Sequence, residues 1–332
     1  MKVVDAYPAS FKDAFDGTLI GTGYDSVLNQ LVARAENMKR EESQSRNCNQ
    51  RQSQKRSSFI SRTFTTPPGD PEELRQKQLA LQAMFKEDPS YRNDVSVLME
   101  STYYLQQEDI KAGLAIPELK ITWPFLCTAC GIQGHLKSIL NIDLKETLER
   151  SLTEKKCTIM NFFNKGRHGK KAVMKVWEVL QAQHNKTEHV ELLGVIQLIT
   201  SWFGEDLSEL VQKREACLTP TEIEELGDVP LSPCIIAAGD DLWNLEEYLV
   251  LVDHHVLGAT GDFTTAFCML FARYFCFHVC YAEGVESTLE FIQRALFGIN
   301  PDRGSKGNKK TKKVNPKVLS LTKKIMECEW NV

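Results

Sequence analysis

Two cysteines and a histidine between residues 127 and 135 have a spacing that resembles a metal site. A zinc knuckle spaces its ligands as C-x2-C-x4-H-x4-C, because a short hairpin must bring three thiolates and one imidazole to the corners of a tetrahedron. Cys127, Cys130 and His135 fit the first three positions, but the fourth position is Leu140. A closed structural zinc site needs four ligands. The three residues are therefore weak candidates for a metal site, and the alternative is the start of a buried helix with Leu136, Ile139 and Leu140 on one face.

A second polar cluster, Asp253-His254-His255, follows an apolar run that predicts a strand. An Asp-His-His at the end of a strand is a signature of one phosphoesterase superfamily, in which these groups help to hold two divalent metals that clamp an in-line displacement. That chemistry needs further carboxylates, and the spacing of the superfamily's other metal motifs is missing. A polar turn at the end of the strand is the simpler interpretation. A metal-dependent phosphoesterase is accordingly the third of three functional hypotheses.

The remaining motifs do not complete a catalytic set. Residues 258–262 contain the glycines of a phosphate loop but lack its Lys-Ser/Thr pair, so they predict a turn and a helix cap. A Gly-x-Ser-x-Gly elbow does not occur in the sequence. We therefore expect a protein that is not an enzyme and that carries no catalytic residues and no cofactor.

The net charge of −4 conceals an uneven distribution. Residues 39–64 carry seven Lys or Arg against two Glu, and residues 301–313 carry six against one Asp. The rest of the chain has 27 basic and 41 acidic residues, a balance of −14. An acidic body repels phosphates, so nucleic-acid binding is expected only through the basic segments. The clearest candidates for such contacts are Lys309, Lys310, Lys312 and Lys313.

Composition also bounds the compartment. Apolar runs of about 18 residues, which a membrane-spanning helix needs, are absent from the sequence, and the N-terminus lacks the apolar region of a signal peptide. The ten cysteines, several in apolar surroundings, are typical of reduced intracellular thiols. These observations predict an intracellular protein, nuclear or cytoplasmic, that is not secreted and does not contact a membrane.

The elements that must position these residues are mostly helices. We expect a mainly α fold with a small α+β C-terminal part. Apolar periodicity predicts helices near 93–107, 171–182 and 188–203, among others, and short apolar runs predict strands near 234–238, 248–252 and 275–280. The predicted organisation, in chain order, is an N-terminal segment with a short helix (1–38), a disordered basic and polar linker (39–68), a helical domain (69–214), an α+β region (215–300), a basic flexible linker (301–314) and a C-terminal helix (315–332).

The order of these elements resembles a family of uncharacterised vertebrate proteins, many of them from fish, some of which are labelled sterile alpha motif domain-containing protein 3-like. The resemblance covers roughly residues 20–330 and rests on residues 23–28, 67–69, 98–103, 108–110, 122–126 and 271–275. Related proteins often have an aromatic residue where this chain has Cys127, which implies a packing position rather than a metal ligand. The resemblance implies a shared fold and carries no settled activity.

The first functional hypothesis is therefore a non-enzymatic, intracellular protein-interaction module with an unknown protein partner. The second is a nucleic-acid-associated protein that uses its basic segments, with a degenerate zinc knuckle. Neither the sequence nor the resemblance names the partner or the pathway.

Overall fold

A computed structural model describes residues 8, 12–31, 69–165, 170–183, 187–215, 218–226, 228–239, 241–243, 247–300 and 314–329. The whole of the predicted linker 39–68 lies outside these residues, and so do residues 301–313 with all four candidate nucleic-acid lysines. Within the described ranges, none of the helices is both long and apolar enough to cross a bilayer.

Helices dominate the structure. In chain order, the α-helices are α1 (Pro71–Glu87), α2 (Asn93–Ser101), α3 (Tyr103–Ala112), α4 (Ile116–Thr122), α5 (Ala129–Leu140), α6 (Leu144–Lys165), α7 (Lys171–Ala182), α8 (Glu188–Phe203), α9 (Pro220–Glu225), α10 (Phe263–Cys276), α11 (Glu286–Phe291) and α12 (Pro316–Glu329). Short 3-10 turns cover Pro124–Cys127 and Leu207–Glu209, and a π-helical turn, Ile292–Leu296, continues α11. Residues 25–31 are also helical.

The strands form two sheets. The strands are β1 (Ala14–Phe15), β2 (Thr18–Leu19), β3 (Val211–Arg214), β4 (Cys234–Ala238), β5 (Glu247–Val252) and β6 (His255–Thr260). The first two make an antiparallel hairpin, and the other four make one sheet in the order β3-β4-β5-β6. In that sheet β3 and β4 are parallel, whereas β4, β5 and β6 are antiparallel. The fold class is thus confirmed as mainly α with a small α+β part in the C-terminal half.

Two of the three predicted strands are confirmed, as β4 and β5, but the strand near 275–280 is wrong. Phe275 and Cys276 are the last residues of α10, and the chain then turns through His278, which has a left-handed backbone with φ of 54°. The aromatic and cysteine residues that favour a strand here belong to a helix that is buried on several sides, and burial overrides the local preference. The sheet instead takes β3 and β6, which the sequence pattern did not predict as strands.

The helix predictions fit with one break. Helices over 171–182 and 188–203 are confirmed as α7 and α8. The single helix predicted near 93–107 is two helices, α2 and α3, that meet at Thr102. The Thr102 hydroxyl donates to the Leu98 carbonyl at 2.8 Å, and Thr102 is buried where the two helices meet.

Helix α10 lies at the centre of the largest core. All of its residues except Thr265 are buried, and it packs against β5, α5, α6 and α8. The opposite face of the sheet is covered by α9, with Ile223 of that helix packed in one apolar cluster with Ile236 and Leu249. A separate core fills the α1–α4 unit and contains Leu81, Val95, Met99, Ile110, Leu119, Trp123, Phe125 and Leu126.

Arg273 is the only arginine of α10, and it is fully buried. Its Nη2 donates to the carbonyl oxygens of Cys127 (3.2 Å) and Leu257 (3.0 Å), and its Nη1 donates to the Met269 carbonyl (3.0 Å). Burial lowers the pKa of Arg273 to about 10, so the guanidinium is still charged at neutral pH. One side chain therefore joins the end of the α1–α4 unit, the strand β6 and the helix α10.

We expect Arg273→Met to lower the free energy of unfolding by about 2–4 kcal/mol, because buried carbonyl acceptors lose their donors and each costs about 1–3 kcal/mol when left unpaired. Urea unfolding measures the change. The control is Arg92→Met, since Arg92 is half-exposed and pairs with Asp88 on the surface; its loss should cost no more than about 1 kcal/mol. An Arg273→Met protein as stable as the wild type would mean that the cost of burying the cation outweighs its hydrogen bonds.

Candidate functional site

The three residues of the knuckle-like motif are separated by their local structure. Cys127 ends the 3-10 turn and is partly buried, whereas Cys130 is exposed in the first turn of α5. Thr128 caps this helix, with its hydroxyl oxygen accepting from the Gly131 amide at 3.1 Å. His135 lies on the buried side of the same helix. The motif thus begins a capped helix, which was the alternative that the sequence left open.

His135 is held between two glutamine side chains of α3. Its Nδ1 is 2.7 Å from Gln106 Oε1, and its Nε2 is 2.6 Å from Gln107 Nε2. These partners assign a neutral ring in which Nδ1–H donates to Gln106 and Nε2 accepts from Gln107. Burial, and secondarily the nearby His278, lowers the pKa of His135 from 6.5 to about 3. Both nitrogens are engaged, so the ring has no lone pair to offer to a metal or to a substrate proton.

Metal-binding clusters are likewise missing from the described part of the chain, where no three His, Cys, Asp or Glu side chains come close enough together to hold an ion. Burial raises the pKa of the Cys127 thiol, although Arg273 and Lys120 oppose this effect. A raised pKa keeps the thiol protonated, which disfavours metal binding. The weak candidates Cys127, Cys130 and His135 are therefore not brought together as a ligand set.

Asp253 and His254 form the tight turn between β5 and β6. Val252 pairs with His255 across the hairpin, so the loop has two residues, and their φ angles are 52° and 65°. Positive φ at both central positions defines a type I′ turn, the connection that best matches the twist of a hairpin. The Asp253 amide donates to the Leu231 carbonyl at 2.9 Å. The triplet thus occupies a turn, in agreement with the simpler interpretation of the sequence.

His255 belongs to a small polar network that connects three elements. Glu224 of α9 accepts from the Val256 amide at 2.7 Å and lies 3.4 Å from His255 Nδ1. The Lys120 ammonium of α4 is 3.3 Å from the same carboxylate. The backbone amide and Lys120 lower the pKa of Glu224 against an opposing effect of burial. This network covers the outer edge of β6 with α4 and α9.

A cleft of about 680 Å³ lies between α2, α3 and α5, and we call it the tyrosine cleft. Its lining residues are Tyr91, Ser96, Met99, Glu100, Ser101, Tyr103, Tyr104, Gln106, Gly134, His135, Lys137, Ser138 and Asn141. Tyr91 packs edge-on against Phe125 with ring centroids 6.0 Å apart, and Tyr103 packs against His135 at 4.9 Å. Two of the three lining tyrosines thus pack against other rings, beside the buried side chains of Gln106 and His135.

A second cleft, of about 440 Å³, lies where the α1–α4 unit meets the C-terminal half. It is lined mainly by apolar side chains of α3 and α4 and by residues 277–283, with Leu231 and Asp253 at its edge. We call it the junction cleft.

The sequence pattern did not single out Gln106, Gln107 or the three tyrosines. A Gln-Gln pair inside an apolar-periodic helix was the available signal, since two buried amides need polar partners. The tyrosines could not be grouped from the sequence, because the cleft joins residues 91–106 to residues 134–141 of a separate helix.

The neutral state of His135 predicts a pH dependence of stability. Because the folded protein binds this proton only near pH 3 while an ordinary histidine binds it near 6.5, the unfolding free energy should fall as pH falls through that window. The expected loss from pH 7 to pH 5 is about 1–2 kcal/mol, at about 1.4 kcal/mol per pH unit. Urea unfolding of wild type and His135→Asn at each pH isolates this term, since other groups titrate in both proteins. Equal pH slopes would contradict the assignment.

The turn geometry predicts that Asp253→Asn combined with His254→Gly keeps or raises stability, by up to about 1 kcal/mol, because Asn-Gly is the preferred type I′ pair. The variant Asp253→Ala/His254→Ala should be less stable than the Asn-Gly variant, since alanine adopts a left-handed backbone at a cost of about 1–2 kcal/mol per residue. Thermal melting compares the two variants. If both lost the same stability, the two residues would be acting through their side chains rather than through the turn.

Comparison with known proteins links one part of the chain to a family. Residues 74–128 match the family model for the helical domain of sterile alpha motif domain-containing protein 3. This segment runs from the first turn of α1 to the cap of α5 and contains all eight buried residues of the second core. Neither a curated protein nor a solved structure matches the chain. The segment is thus similar to that helical domain, and it supplies two of the three helices that form the tyrosine cleft.

Proposed function

We propose that this protein is a non-enzymatic, intracellular protein-interaction module and that the tyrosine cleft binds its partner. The observation that carries the proposal is the composition of this cleft. Tyrosine and methionine are enriched at protein interfaces, because they supply a large contact area with few rotatable bonds or adapt to irregular surfaces. Three tyrosines and Met99 line one cleft, at the edge of the segment that matches a known helical domain.

The rim of the cleft adds polar groups that can orient a partner. Glu100 and Lys137 are both exposed and lie on different helices, α2 and α5. Ser138 and Asn141 offer further hydrogen-bond donors and acceptors on the α5 side. Aromatic side chains surrounded by a polar, mixed-charge rim are the usual anatomy of a protein interface, and a segment with one aromatic or aliphatic anchor suits this cleft.

The geometry favours recognition over catalysis. His135 is the histidine nearest to the cleft floor, and its lowered pKa and two glutamine partners leave it unable to accept a proton at neutral pH. Asp253 and His254 form a turn, and His255 is engaged with Glu224. These arrangements support the proposal that the chain is not an enzyme.

We also propose that the family resemblance extends over residues 20–330 and that the protein is nuclear or cytoplasmic. Nucleic-acid binding through Lys309, Lys310, Lys312 and Lys313 stays a prediction, since these residues lie outside the described part of the chain.

The test is recovery of partners by proximity labelling in native cells, using the full chain as wild type and as Tyr104→Ser/Lys137→Glu. We expect the variant to lose at least tenfold of the labelled partner, since a buried tyrosine at an interface centre is commonly worth about 2 kcal/mol or more. The matched control is Val97→Ser, which changes an exposed residue of α2 that does not line the cleft. All three proteins should have equal melting temperatures.

A binding assay with the purified proteins, with and without nuclease treatment, separates this proposal from the nucleic-acid hypothesis. Partners that bind the cleft should persist after treatment, and the same purified partner should bind the variant at least tenfold more weakly. A partner set that the cleft variant retains, or that nuclease removes, would refute the proposed role of the cleft.

A further inference from the structure

A group of lysines and aromatic rings lies where the end of α6, the start of α7, the end of α8 and the helix α12 meet. The rings belong to Phe162, Phe163 and Trp202, with centroid separations of 5.1, 5.2 and 6.1 Å. Trp202 is only 8% exposed. Its indole therefore supports the groups above it and is not itself available for stacking with a ligand.

Two ammonium groups share this indole. The Lys170 Nζ lies 4.3 Å from the Trp202 ring centroid, and the Lys324 Nζ lies 5.3 Å from the same centroid. The Lys170 ammonium also donates to the Trp202 carbonyl at the C-terminal end of α8. Attraction to the ring face and to the helix end holds two cations near one point, although they come from residues far apart in the chain.

Among the described residues, the charged groups that shift the pKa of Lys170 are other lysines. Burial lowers the pKa of Lys170, and the charges that add to this effect are those of Lys324 and Lys317. The acid that follows α8, Glu205, is already engaged, because it accepts from the amides of Ser287 and Thr288 at 2.8 Å each. Like charges gathered in one place raise the local potential and attract an anion.

We propose that Lys170, Lys317 and Lys324 form a binding site for a compact, phosphate-rich anion, of the kind carried by a nucleoside triphosphate or an inositol polyphosphate. Each ammonium has three donors, and Lys170 spends one of them on the Trp202 carbonyl. The remaining donors of Lys170, with those of Lys317 and Lys324 from the same helix α12, match the many oxygens of clustered phosphates. This site is independent of the proposed interaction function and lies on different helices.

A compact ligand fits better than a nucleic-acid backbone. Lys170 and Lys324 are gathered around one ring, whereas a nucleic-acid strand needs a row of cations along its length. Outside its two basic segments the chain carries a balance of −14. A long polyanion would therefore pass over acidic surface, but a short one can be contained within the cluster.

Isothermal titration with sodium tripolyphosphate tests the site, using the full chain and its variant Lys317→Gln/Lys324→Gln. We expect at least tenfold weaker binding by this variant. The control, Lys77→Gln/Lys323→Gln, has the same net charge, and it removes two lysines that instead pair with Glu73 and Glu327 on their own helices. Its affinity should stay within twofold of the wild type. Lys170 is left intact because it caps α8.

Two further measurements close the test. Lys317 is exposed in the first turn of α12, where an acid is tolerated. The variant Lys317→Glu must therefore weaken binding while its melting temperature stays unchanged. Adenosine triphosphate and inositol hexakisphosphate should each bind with the same lysine dependence, and the tighter one identifies the source of the phosphates. Absent tripolyphosphate binding, or binding that the site variants retain, would overturn the proposal. So would binding restricted to a single-stranded RNA oligomer, which would assign the cluster to nucleic acid.

Discussion

The rest of the fold depends on one helix, α10, that is buried along almost its whole length and still contains an arginine. A helix surrounded on all sides leaves no route for the Arg273 side chain to reach water. The guanidinium is solvated instead by three carbonyl oxygens, from Cys127, Leu257 and Met269. A charge buried in this way demands that all of its acceptors stay in place. The positions of α10, the edge strand β6 and the α1–α4 unit are thus coupled through a single side chain.

That coupling has a steric condition at Gly258. A Cβ atom at this position of β6 would lie 2.7 Å from the Cys127 carbonyl oxygen and 2.5 Å from the Met269 side chain. The strand can therefore approach the 3-10 turn closely enough for both carbonyls to reach Arg273 only because the residue is glycine. The close packing of β6 against the end of the matched segment thus depends on this glycine.

Several polar and charged side chains of the interior are paired with one another. His135 is paired by two amides, and Glu290 is joined to Arg294 at 3.0 Å in a fully buried ion pair. Glu290 also accepts from the Asn315 amide at 3.2 Å, which ties the start of α12 to α11. Charges that could act outward lie elsewhere, at the rim of the tyrosine cleft and in the lysine cluster around Trp202. These two surfaces differ in chemistry, since one combines aromatic rings with mixed charges and the other gathers lysines over a buried indole.

The sequence by itself determined the elements whose signals are local. Apolar periodicity predicts α7 and α8, the Thr219–Glu222 pair forms the capping box that its spacing indicates, and the missing fourth ligand at Leu140 argues against a closed zinc site. Only the tertiary structure decided what depends on distant contacts. The run after residue 274 ends a helix because burial outweighs strand preference, and β6 is a strand because β5 supplies its hydrogen bonds. The tyrosine cleft and the lysine cluster join residues that are tens to more than a hundred positions apart, and no local pattern encodes which of them meet.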